Sequence, residues 1–220
     1  MTALSGGLRI EPMHWSRLDR SFFSGNDVLM LARQLLGMKL QTCIDGRITA
    51  GIITETEAYA GESDMASHAY GGRRTKRTET MYLQGGHAYI YLCYGIHSLF
   101  NIVTSQPGIP HAVLVRGIIP IEGIRVMQER IGREPDLVRD GAGPGKVARL
   151  LGLNCSHNGT DMVEDRQVWI ERSDFYLNES IIRATPRIGV DYAGEDAFLP
   201  YRFAADHREA LKEIKMAGLV

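Results

Sequence analysis

The sequence predicts an α+β fold: one compact domain with a mixed, largely antiparallel, curved sheet, helices around it and a protruding β-hairpin. Three observations predict it. A chain of 220 residues that is 44% hydrophobic supports one substantial core and fits one domain better than two. Two segments of strand-like alternation each fold back at a tight-turn dipeptide, which makes the sheet at least partly antiparallel. Helical periodicity appears outside any strand–helix–strand rhythm, which argues against a doubly wound sheet.

Taken in order, residues 1 to 20 lack periodicity and contain Pro12, so a loosely ordered arm is expected there, with the domain over 21 to 220. From Asn26 to Gly37 a capping Asn-Asp precedes Val28, Leu31, Ala32 and Leu35 at helical spacing, and Gly37 is the stop. Strand pairs are expected over 38 to 59, turning at Asp45-Gly46, and over 87 to 103, turning at Tyr94-Gly95. A strand from Ala112 to Ile119 should end at Pro120, and Ile121, Ile124, Met127 and Ile131 then read as a helix. A short helix is expected from Lys146 to Leu151 and a strand from Gln167 to Glu171.

Composition narrows the function classes. The formal net charge is −1, so no global positive field marks a nucleic-acid binder and any such site must be a local patch. Cys43, Cys93 and Cys155 lie far apart, without Cys-x-x-Cys or His-x-x-x-His spacing, which suggests a reducing compartment and no zinc. No apolar run approaches the roughly 20 residues of a membrane helix, and the N-terminus lacks the build of a secretory signal.

Four clusters could carry chemistry. On a strand, Glu55, Glu57 and Tyr59 share a face, which is either a solvated surface or two carboxylates and a phenol in a cleft. Arg73-Arg74-Thr75-Lys76-Arg77, led by Gly71-Gly72, is either a solvated basic loop or a grip for phosphates. In the tyrosine hairpin, His87, Tyr89 and Tyr91 share a face, and Tyr94 beside Gly95 lands at the tip. Tyr89 reads as core, Tyr91 as a pocket wall, and Tyr94 as a wedge of the kind that unstacks a base step. Gly143-Pro144-Gly145-Lys146 opens a helix and is either a structural turn or a phosphate contact; it does not follow a strand, so it is no dinucleotide fingerprint.

Together with Ala66-Ser67-His68, Asn101, Val113-Leu114-Val115-Arg116 and Arg187-Ile188-Gly189-Val190, these clusters run in order over roughly residues 20 to 205. Jointly they resemble the alkyladenine (3-methyladenine) DNA glycosylases of the mammalian type. The resemblance implies an enzyme of base excision repair that inserts a hairpin into the minor groove, flips a damaged purine into an aromatic pocket and hydrolyses its glycosidic bond. By position it implies Glu57 as the water-activating carboxylate and Arg116 near the sugar, with Tyr59, His68 and Tyr91 around the base. It implies Asn101 as the group disfavouring the 2-amino of guanine, Leu114 at the pocket floor and Ile188 as a backbone contact. Arg73, Thr75, Tyr94, Gly95 and Lys146 would meet DNA. Beyond the turn the chain departs from the family pattern at Ile96-His97-Ser98-Leu99-Phe100, which bears on how deep the wedge goes.

The implied partner is double-stranded DNA carrying alkylated or deaminated purines, met by a monomer without metal or cofactor, in the cytoplasm and nucleoid if the source is bacterial. No lysine in the matched motifs is placed for a Schiff base, so an abasic site without strand cleavage is expected. Two rivals are a noncatalytic nucleic-acid binding module and a small-nucleoside or glycoside hydrolase. The first leaves the pairing of Glu57 with Tyr59 idle, the second the wedge and basic loop.

Overall fold

Two dipeptides set the strand pairing. Asp45 and Gly46 take φ of 53° and 72°, and Tyr94 and Gly95 take 50° and 73°. Paired positive φ is the signature of a type I′ turn, whose twist matches that of the strands it joins. The structure, a computed structural model, describes residues 13–220, so most of the arm expected over residues 1 to 20 lies outside the described residues.

The chain begins with β1 (Ser16–Arg17), α1 (Arg20–Phe23), α2 (Val28–Gln34), β2 (Lys39–Ile44) and β3 (Arg47–Tyr59). It continues through β4 (Ala88–Cys93), β5 (His97–Thr104), β6 (His111–Glu122), α3 (Ile124–Ile131) and α4 (Pro144–Leu151). It closes with β7 (Val168–Arg172), β8 (Ile182–Thr185), β9 (Arg202–Ala205) and α5 (His207–Met216). The strands form one sheet in the order β1-β7-β2-β3-β6-β5-β4, with β9 joining β8 to β3. Every named pairing is antiparallel.

Alternation sorts side chains to the two faces. Ile53 and Ile118 join the main core, in which Ala32 and Leu35 of the α2 segment meet Phe100 and Val147 and Leu150 of α4. Their neighbours Ile52 and Ile119 point the other way and bury Ile214 of α5. Each such fully buried side chain contributes about 1.5–3 kcal/mol. Asp27 caps α2 by accepting from Met30 N at 2.9 Å, while the preceding Asn26 accepts from Ser105 Oγ at 2.8 Å.

The long strand β3 forks. On one edge its first half pairs with β2 and residues Glu55 to Glu57 pair with β9; on the other edge β6 runs alongside. Between β3 and β6 the register shifts on either side of Glu55. Thr54 is thereby left over on β3 and Arg116 on β6, a pair of bulges that bends the strands and re-aims the intervening side chains.

Two expectations need correction. The strand does not end at Pro120 but reaches Glu122, and Ile121 belongs to it rather than to the following helix. The reason is a third shift, between Ala50 and Gly51, that leaves Ile121 unpaired, so the ring lacking an N–H sits beside a bulge, where proline is tolerated. Gly123 at φ 73° then turns the chain into α3. The C-terminal elements β8, β9 and α5 were not expected; α5 is capped by Asp206, which accepts from Arg208 N at 2.9 Å and Glu209 N at 3.1 Å. Among the described residues no helix is long and apolar enough to cross a membrane.

Candidate active site

Glu57 lies on the second half of β3 with 0% of its surface exposed. A buried carboxylate must be surrounded by donors, and it is. Ile188 N donates to Oε1 at 2.8 Å and the Tyr59 hydroxyl to Oε2 at 2.9 Å. The bulged Arg116 brings Nε to 3.3 Å of Oε1, with a looser Nη1 contact of 3.5 Å to Oε2. Burial pushes the Glu57 carboxyl above its ordinary value; Arg116, the Ile188 amide and Tyr59 pull it back only in part. For Glu55 burial acts the same way, but Arg202 at 2.7 Å and Arg116 at 3.0 Å outweigh it and hold its carboxyl below the usual value. Two carboxylates on one strand face thus titrate in opposite directions, the mark of a divided role.

Above them is a cavity of about 500 Å³ walled by Tyr59, His68, Tyr89, Tyr91, Asn101, Leu114, Arg116 and Ile188. Glu57 lies beneath this wall rather than on it. The His68 ring stands 4.6 Å from the Tyr91 ring at 76°, and Tyr89 and Tyr91 are 5.5 Å apart. Asn101 is held from inside, its Nδ2 donating to Tyr89 O at 3.0 Å and Leu99 O at 3.3 Å. Burial raises the Tyr59 and Tyr91 hydroxyls, so both stay protonated.

Behind the cavity wall, next to Ile188, lies a buried ion pair. Arg187 Nη2 meets Asp64 Oδ1 at 2.8 Å, Nη1 donates to Ala58 O at 2.9 Å, and the guanidinium lies 4.8 Å over the Tyr59 ring. This clamp sets the next residue, Ile188, against Glu57. Tyr192 lines the cavity, its hydroxyl donating to Ala66 O at 3.0 Å.

Beside the cavity the β4–β5 hairpin projects. Tyr94 is 92% and Ile96 72% exposed, leaving an apolar tip in water. The turn end of the hairpin meets α4 through His97, and a Cβ on Gly145 would come within 3.1 Å of that ring, so any larger residue there would crowd the contact. Lys146 is also at the rim, with Nζ donating to Arg139 O at 2.8 Å. Arg73, Thr75 and Arg77 are exposed on a loop pinned by Thr78, whose Oγ1 donates to Arg73 O at 3.0 Å and accepts from Thr75 N at 2.8 Å.

The structure therefore gathers Glu57, Tyr59, His68, Tyr91, Asn101, Leu114, Arg116 and Ile188 at one cavity, with Tyr94, Gly95 and Lys146 around it. Asp64, Tyr192 and Arg202 were not singled out from the sequence, and Arg77 was read only as part of the basic loop. Asp64 and Arg202 reach the site across more than a hundred residues, a separation no local pattern signals. Tyr89, read as core, is buried, but its hydroxyl shares a hydrogen bond with His68 Nδ1 at 2.9 Å.

The Methylpurine-DNA glycosylase (MPG) family matches residues 21–209. A Chlamydia felis protein named as a 3-methyladenine DNA glycosylase is 46% identical over 198 residues, 89% of this chain and 99% of its own. One of the same name from Bacillus cereus is 40% identical over 190 residues, 83% of this chain and 92% of its own. With a match over most of its length and relatives at this identity, the chain belongs to the methylpurine-DNA glycosylase family.

Proposed function

We propose that the chain excises damaged purines from duplex DNA: it flips the nucleotide into the aromatic cavity and hydrolyses the glycosidic bond, leaving an abasic site and an intact backbone. The observation that carries this reading is the buried Glu57 carboxylate beneath a cavity walled by Tyr59, His68 and Tyr91. A cavity of about 500 Å³ lies within the range of small-molecule sites and is large enough to admit a purine nucleoside.

Alkylation at N3 or N7 gives the purine a positive charge, so it leaves readily. Aromatic faces attract such a cation by about 0.5–2 kcal/mol. Glu57 takes a proton from a water held between it and the flipped nucleotide. The water oxygen bonds to the sugar C1′, and the electron pair of the breaking C–N bond neutralises the departing base. Arg116, on its bulge, stands where charge develops near the sugar. Asn101 bars the 2-amino group of normal guanine, Leu114 floors the pocket and Ile188 offers backbone to the base. The Arg73 and Thr75 loop and Lys146 engage phosphates, and Tyr94, backed by Gly95, fills the gap left in the stack. The protein acts as a monomer, in the cytoplasm or nucleoid if it is bacterial.

The test is duplex DNA carrying 3-methyladenine or 7-methylguanine, incubated with the protein in EDTA. Free base should appear and the strand should break only after alkali. Nicking without alkali, or loss of activity to the chelator, would overturn the reading. Replacing the wedge, Tyr94→Ala, should weaken capture of the extrahelical nucleotide by about ten- to a hundredfold, the worth of one stacking contact. A fluorescent base analogue at the lesion reports it, and an unchanged flipping equilibrium would remove Tyr94 from this role.

A further inference from the structure

Arg77 is exposed and lies outside the cavity, yet its guanidinium sits 4.9 Å over the Tyr91 ring and its Nη2 is 3.4 Å from His68 Nε2. Arginine has five N–H donors, no acceptor and a charge it does not lose. Nε2 of His68 must therefore accept. An imidazole that accepts at one nitrogen carries its hydrogen on the other, so Nδ1–H donates to the Tyr89 hydroxyl at 2.9 Å. A hydroxyl that accepts still has a hydrogen to give. Arg77 also lies close enough to hydrogen-bond the Tyr89 hydroxyl, but it can only donate, so among the described residues no acceptor takes the Tyr89 hydrogen, and Tyr89 lines the cavity.

We propose that Arg77 is a positioning residue: it fixes His68 as the neutral Nδ1–H imidazole, and so leaves the Tyr89 hydroxyl hydrogen as a donor to the base in the pocket. The inference rests on the proposed function for its ligand. The ligand chemistry is a purine presenting an acceptor, such as the O6 of hypoxanthine, where an adenine-type base presents an amino group. The charged and titratable groups about His68 are Arg77, Arg73, Tyr89 and Tyr91. Burial, then Arg77 and Arg73, push its pKa down to about 4, in keeping with a neutral ring. For the same reason the Tyr89 hydroxyl, pushed up to about 12 chiefly by burial, keeps its hydrogen.

The wiring can be reversed. Arg77→Glu puts an acceptor at Nε2, which should move the hydrogen to Nε2 and make Nδ1 the acceptor of the Tyr89 hydroxyl. Nitrogen-15 spectra of histidine-labelled protein without DNA read the tautomer directly: Nδ1–H is expected in the unaltered chain and in Arg77→Lys, Nε2–H in Arg77→Glu. In single-turnover excision with saturating protein, the ratio of hypoxanthine to 3-methyladenine release should fall about tenfold in Arg77→Glu and in Tyr89→Phe, the worth of one hydrogen bond. Arg77→Lys should hold the ratio within about twofold, because it keeps the donor.

An Nε2–H imidazole in the unaltered chain, an unchanged tautomer in Arg77→Glu, or an unchanged ratio in Tyr89→Phe would overturn the proposal. The tautomer is read without substrate. A chain that released neither base would thus sink the proposed function, while the spectra would still decide the wiring.

Discussion

Glu57→Gln is expected to lower base release by a factor of about 10²–10⁴, the usual worth of a general base, while lesion-containing duplex still binds. The substitution removes one charge and keeps the shape. Single-turnover release and a binding titration on the same duplex measure the two separately, and a variant that still released base at the parental rate would exclude Glu57 from water activation. The pH profile gives an independent check. Burial raises the Glu57 carboxyl, and a general base works only when ionised. Release of a cationic purine should therefore be present above that raised value and fall as pH drops through it. Stability runs the other way: a carboxyl raised on folding holds its proton more tightly in the folded chain, so ionising Glu57 costs stability as pH rises through the same window. An acid-side loss of activity without a loss of folded protein is the expected combination.

Arg187→Ala is expected to cost about 3–5 kcal/mol of folding stability, because it leaves a buried carboxylate without its partner. The Arg187 and Asp64 side chains are 0% and 1% exposed, so little water can replace the lost contacts. Denaturant melting measures the loss. Replacing both partners by apolar residues, Arg187→Met with Asp64→Leu, should recover much of the stability, since buried pairs are often replaceable by packed hydrocarbon. It should not recover activity, because the clamp also sets Ile188 against Glu57. A double variant that regained both would show that the clamp serves folding alone.

Much of this was legible in the sequence because it is local. Asp45-Gly46 and Tyr94-Gly95 gave both hairpins, since adjacent positive φ values favour a glycine at the second position. Alternation placed Glu55, Glu57 and Tyr59 on one side of a strand, and the motif order supplied the family. What escaped depends on distance or irregularity. Asp64 meets Arg187, and Arg202 meets Glu55, only because β3 forks. Arg116 reaches both glutamates from a bulge, which breaks the alternation that a strand reading assumes. Short β8 and β9 carry too few residues for a pattern, and Tyr192 sits in an irregular helical segment without periodicity.

The hairpin tip has a consequence of another kind. Tyr94 holds φ of 50°, a left-handed conformation that asparagine, aspartate and glycine adopt easily and that costs an aromatic residue on the order of 1–2 kcal/mol. Local preference at this position therefore favours small polar residues, and a stability screen of the isolated hairpin would discard the tyrosine. Its presence, nearly naked in solvent, is a standing compromise in which the turn is kept slightly discontented so that a ring is always carried at its foremost point.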